Sequence, residues 1–201
     1  MAAKSSHLRW AVAVLIVASL ATVGRLDSAA ASLPAATPGH TRSRAGASGL
    51  TGTRSRFVFL ARQRSNSCTL EPAALERMPD ATRLQGSCCS GMNWDSYRFQ
   101  VKGLRAYPSI GQIPKDPYDI SVQLAKELLG YDHTRRLTRL QAQVYAQAMR
   151  SSREKGPCCC HCWRWNAFRG LSKYLIADRG WRAHAVATVI DLLDGCGGPA
   201  R

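Results

Sequence analysis

Residues 137–148 read Leu-Thr-Arg-Leu-Gln-Ala-Gln-Val-Tyr-Ala-Gln-Ala, and their apolar members Leu137, Leu140, Val144 and Ala148 fall three and four apart. That spacing lines them along one face of a helix, which should end before Gly156-Pro157. Upstream, Pro117 opens a segment with Ile120, Leu124 and Leu128 in the same period, Asp116 as its expected cap and Gly130 as its expected stop. These two helices should form a hairpin. Downstream, Phe168, Leu171 and Leu175 mark a third helix. Trp181, Ala185, Val189 and Leu193 mark a fourth, stopping at Gly195-Cys196-Gly197-Gly198. No alternating run of useful length separates them, which argues against a βαβ architecture. The expected fold is mainly α, a small helical bundle.

Before the bundle, the stretch from Cys68 to Pro117 is punctuated by Pro79, Pro108 and Pro114 and reads as an irregular wrap containing cysteine and proline. Together these make a cysteine-rich helical domain over 67–198. Residues 32–66 are rich in Arg, Ala and Ser without an apolar period, so they cannot bury enough surface to offset chain entropy and read as a flexible, disordered tether. At the start, Lys4 and Arg9 precede an uncharged apolar run from Trp10 to Val23, with small residues at Ala29, Ala30 and Ala31. This is the layout of a signal peptide or signal anchor over 1–31, and it predicts an extracytoplasmic protein, secreted or held at a membrane through that segment.

The 201 residues carry a formal net charge of +15, from 28 basic and 13 acidic side chains. Nine of the basic side chains and one acid, Asp27, fall in residues 1–66, so about half of the surplus lies outside the expected domain. The arginine-rich stretch has neither stacking aromatics nor a reading helix, and nucleic acid is not an expected partner. The phosphate loop, dinucleotide glycine fingerprint, serine-nucleophile elbow and two-histidine zinc-protease motif are all missing from the sequence, and no enzymatic activity is expected.

The chemistry concentrates in Pro157-Cys158-Cys159-Cys160-His161-Cys162-Trp163, four thiols and an imidazole within five residues. Cys88-Cys89-Ser90-Gly91-Met92 adds two thiols and a thioether, and Cys196 and Cys68 complete the eight cysteines. Thiolate, thioether and imidazole are the ligands of soft metals, so copper or zinc is the expected cofactor and a metal ion the expected partner. The candidate ligands are Cys158, Cys159, Cys160, His161, Cys162, Cys88, Cys89 and Cys196. In an extended loop Cys158, Cys160 and Cys162 point to one side and converge on one ion, with Cys159 and His161 on the other. The runner-up is a disulfide-stapled structural or interaction module, which an even cysteine count in an exported chain invites. Third is a thiol-disulfide redox protein, since Cys159-Cys160-His161-Cys162 is a Cys-x-x-Cys at a helix start.

At these residues the chain resembles bacterial exported proteins that share a Pro-Cys-Tyr-Cys-Gly-Cys motif. Pro157, Cys158, Cys160 and Cys162 match it, while Cys159 stands in place of the tyrosine and His161 in place of the glycine. The helix bearing Tyr145 and Ala148 is similar to the one that leads into the motif. The family's downstream Gly-His pair is replaced by Trp163-Arg164-Trp165. The resemblance implies export and a cysteine-based site, and names no reaction.

Elsewhere His184 and Asp191 read as a solvated pair one heptad apart, and Arg135, Arg136 and Arg139 as a solvated basic face. Trp163 and Trp165 read as core or cap residues placed to shield a thiolate-bound ion.

Overall fold

Side-chain caps set where most of the helices begin. In a computed structural model, which describes residues 50–198, the elements run α1 (Arg54–Leu60), α2 (Pro72–Glu76), β1 (Arg83–Gln85), α3 (Trp94–Leu104), β2 (Asp119–Ser121), α4 (Val122–Thr134), α5 (Arg139–Ser151), α6 (Trp163–Ala177) and α7 (Ala183–Leu192). Thr53, Asn93, Ser121 and Thr138 each accept from a backbone N–H of the first helical turn. Thr138 and Gln141 form a reciprocal capping box that starts α5. The protein is therefore mainly α, as expected, with one small two-stranded antiparallel sheet in which Leu84 faces Ile120.

The expected signal segment 1–31 lies outside the described residues. Within them, no helix is long and apolar enough to cross a membrane. The last part of the expected tether, however, carries α1, and Leu60 is fully buried. Arginines on either side masked a compact apolar group there: Phe57, Phe59 and Leu60 pack with Trp94, Tyr97, Val101 and Tyr118 as a second, smaller core. The Phe57 and Trp94 rings meet edge-on with centroids 5.3 Å apart. The wrap is likewise less irregular than expected, because α3 buries Tyr97, Val101 and Leu104 at four- and three-residue spacing. Its prolines flank that helix rather than interrupt it.

The helix expected to open at Pro117 begins instead at Val122, because Ile120 is taken by β2, and it runs through Gly130 to Thr134. Asp116 is not its cap. The Asp116 carboxylate is buried, accepting the Tyr118 N–H at 3.0 Å and the Tyr97 hydroxyl at 2.9 Å. Nor do the two central helices form a hairpin: α4 packs chiefly on α6, and α5 on α7. The α4–α6 crossing is close enough that a Cβ on Gly170 would lie 1.9 Å from the Leu128 carbonyl oxygen. Asp132 of α4, also buried, takes the Arg169 Nε at 2.7 Å and the Lys173 Nζ at 2.8 Å from α6. The main core lies between these helices, around Leu128, Leu129, Trp163, Phe168, Leu171, Leu175, Val186 and Val189. Leu140 falls outside it and is exposed, so the α5 stripe is narrower than its sequence pattern.

Candidate metal centre

Four separate stretches deliver thiols to one patch. Cys68 sits in a turn in which Leu70 donates to the Ser67 carbonyl, and the Leu70 carbonyl in turn accepts the Trp163 N–H at the start of α6. Cys88 and Cys89 lie in the loop after β1. That loop is stitched to the segment after α7: Cys88 N–H donates to Gly195 O at 2.9 Å, Ser90 N–H to Cys196 O at 2.8 Å, and Gly198 N–H to Gly91 O at 2.8 Å. The stitching needs Gly197, whose φ is +81° and whose Cβ, if present, would lie 2.4 Å from Ser90 O. Cys158 to Cys162 fill the bends between α5 and α6, with Cys158 and Cys162 buried and Cys159 exposed.

The sulfur atoms then form a near-continuous mesh. Cys88 Sγ lies 3.5 Å from Cys89 and 3.9 Å from Cys196. Cys89 lies 3.6 Å from Cys159 and 3.4 Å from Cys160. Cys158 lies 4.0 Å from Cys196, and Cys159 3.2 Å from Cys160. All eight are free thiols. A disulfide needs its sulfurs at about 2.0 Å. Four sulfurs about 2.3 Å from a tetrahedral zinc, by contrast, stand about 3.8 Å from one another. At 3.2–4.0 Å the pairs stand beyond disulfide bonding and within the range that ligands around one ion span.

Three groups of three thiols have all their sulfurs within 4.8 Å of one another: Cys68, Cys89 and Cys160; Cys88, Cys89 and Cys196; Cys158, Cys159 and Cys196. These cysteine groups could hold a metal ion. The grouping differs from the expected alternation, in which Cys158, Cys160 and Cys162 share one ion: Cys158 and Cys160 fall in different groups, and Cys162 lies against Cys158 at the helix cap. Alternation belongs to an extended strand, and 158–162 is a series of bends. Cys68, absent from the expected ligands, belongs to the set, and only its position in the fold discloses this. His161 belongs to none of the three groups and is exposed, its ring 3.9 Å from that of Trp165. The Met92 thioether is spent on the aromatic core of Tyr97 and Trp94. Trp163 is a core residue with no exposure, and Trp165 covers His161 rather than a group of thiols.

The electrostatics concentrate negative charge on one sulfur. Contacts with Cys162, Cys196 and Cys88 hold Cys158 far below the usual thiol range, and Arg164 adds to the effect. Its neighbours pay in the other direction. Contact with Cys158 pushes Cys88, Cys162 and Cys196 up, and burial pushes Cys159 and Cys160 up to about 12. For Cys162 the N–H groups of Arg164 and Trp165 favour the thiolate, but less than Cys158 and burial oppose it. Both ends of the Cys-x-x-Cys pair, Cys159 and Cys162, are thus pushed up.

Beside the mesh, Arg164 is a fully buried cation. Its guanidinium donates to the Pro117 carbonyl at 3.1 Å and the Leu193 carbonyl at 2.6 Å, its Nε has no partner, and it forms no ion pair with a carboxylate among the described residues. On the outer side, a cleft of about 350 Å³ opens onto Cys89, Cys159 and Cys196, flanked by Arg153 and Asp194. His184 is exposed, and Asp191 is engaged by the Arg153 N–H at 2.9 Å, so the expected His184–Asp191 pair does not form. Among known proteins, no family model matches the chain, and neither a curated relative nor a solved structure does.

Proposed function

We propose that this protein works outside the cytoplasm and binds a soft metal ion, copper(I) in preference to zinc, through its cysteine patch. The observation that carries the reading is the convergence of thiols from three stretches of chain at 3.2–4.0 Å spacing, with Cys68 of a fourth stretch within 4.8 Å of Cys89 and Cys160. Soft thiolates select copper(I) and zinc. Grouping in threes, without a histidine or carboxylate, suits copper(I), which takes three thiolates in a plane, better than zinc, which takes four ligands. Export is supported by the apolar run after Lys4 and Arg9 and by the resemblance around Pro157 to Cys162.

The test is metal content with a free-thiol count on the full chain, purified without oxidant, beside a triple Cys158→Ser, Cys160→Ser, Cys162→Ser variant. Bound copper that falls sharply in the variant supports the reading, and zinc in its place revises the ion. No metal, with the cysteines paired, overturns it in favour of a disulfide-stapled module. Cell fractionation with and without residues 1–31 checks export: loss of the extracytoplasmic pool on deletion is expected, and an unchanged distribution overturns that part.

A further inference from the structure

We infer that the centre is polynuclear, holding at least two soft ions per chain, with the sulfurs of Cys89 and Cys196 each bridging neighbouring ions and the buried Arg164 guanidinium offsetting the charge of the assembly. The inference rests on the soft-metal reading above and adds the number of ions and the roles of single sulfurs.

The three thiol groups are not independent. Cys89 belongs to the group with Cys68 and Cys160 and also to the group with Cys88 and Cys196. Cys196 belongs to that second group and to the third, with Cys158 and Cys159. Seven sulfurs thus supply three adjoining three-fold sites in a row, joined at two shared atoms. A thiolate has lone pairs for more than one metal–sulfur bond, so a shared sulfur bridges rather than chooses. One ion, with three or four ligands, would leave at least half of the eight thiols idle in a patch assembled from four stretches of chain.

Charge gives an independent argument. A buried arginine without a carboxylate partner bears a desolvation cost that carbonyl hydrogen bonds and ring faces offset only in part. Arg164 is in that position, two residues beyond Cys162 and beside the sulfur mesh, with its guanidinium on two backbone carbonyls and over the Trp163 and Phe168 rings. A set of seven thiolates outnumbers the positive charge of two or three copper(I) ions, so the loaded centre is an anion. Each bound thiol gives up its proton to solvent as its metal–sulfur bond forms, and the guanidinium offsets one unit of the negative charge that remains.

The experiment loads the full chain anaerobically with buffered copper(I) and counts ions by native mass spectrometry, with zinc as a parallel arm. Two or three ions per chain are expected. Cys89→Ser and Cys68→Ser are compared, with circular dichroism to verify that both fold. Cys89→Ser, which removes a ligand from two sites, should lose about twice the capacity that Cys68→Ser loses. A maximum of one ion in both metal arms, or equal losses in the two variants, overturns the polynuclear inference while leaving the soft-metal reading intact. Binding of no ion overturns both.

Discussion

Asp116 is held away from water by Tyr97, Tyr118 and the second core, and burial pushes its carboxyl up to about 6 despite the hydrogen bonds it accepts from Tyr118 and Tyr97. Because the folded value lies above the unfolded 3.8, the fold favours the protonated acid. This group's contribution is therefore fully present below about pH 4 and is lost as pH rises through 6. Asp116→Asn should remove that slope, shifting relative stability by about 2 kcal/mol between pH 4 and pH 7, read from urea unfolding at both pH values. Asp132 acts in the opposite sense: burial alone would raise it, but Arg169 and Lys173 outweigh burial and lower it, so its stabilisation is lost as pH falls. The difference between wild type and variant isolates Asp116. At the thiols, the ordinary state of Cys159 and Cys160 near neutrality is protonated, with both pushed up to about 12. Metal binding must release those protons, so affinity measured by chelator competition should rise from pH 6 to pH 8. The sequence made the cysteine run conspicuous, because local density is visible in one dimension. It concealed Cys68, whose relation to Cys160 is made by a backbone contact between Leu70 and Trp163.

The α4–α6 pair positions the cysteine run, since α6 begins at the cysteines and α4 anchors it. Gly170→Ala places a methyl against the Leu128 backbone, which has no side-chain freedom to yield. The cost should be about 1–3 kcal/mol, measured by thermal or urea unfolding, with metal stoichiometry retained in the folded fraction. Periodicity revealed α5, α6 and α7 because each has a stripe long enough to read. It misplaced the start of α4 because Ile120 fits an apolar helix stripe and a buried strand position equally well. Pairing was not legible at all: a hairpin is the natural guess for successive helices, and the choice of α6 as partner depends on a missing side chain at Gly170 and on Asp132, both distant from α4's apolar stripe or hidden within it. α1 and α3 escaped notice because their surroundings are rich in arginine or proline and each helix is short.

For the molecule as a whole, the three thiol groups together join the loop after β1, the turn before α2, the α5–α6 connection and the segment after α7, so ions bound in them would tie these stretches into one unit. Loading should therefore raise the melting temperature, and a chelator should lower it. Free metal at a thousand times the dissociation constant adds about 4 kcal/mol to the folded state. A melting curve unmoved by metal would place the ion outside this framework. The uneven charge of the sequence also takes its place at this scale, since five of the 17 arginines within the described residues are held in ion pairs: Arg56 and Arg83 on Asp119, Arg135 on Asp178, Arg153 on Asp191 and Arg169 on Asp132. The stitching of residues 88–91 to residues 195–198 bears on time as well as space. A chain is made from its N-terminus, and Cys196, a sulfur shared by two of the three sites, is the last cysteine to be synthesised. While the ribosome is still short of that residue, two of the three thiol groups lack a member and only the group of Cys68, Cys89 and Cys160 is complete, so the row closes in the order in which the chain emerges.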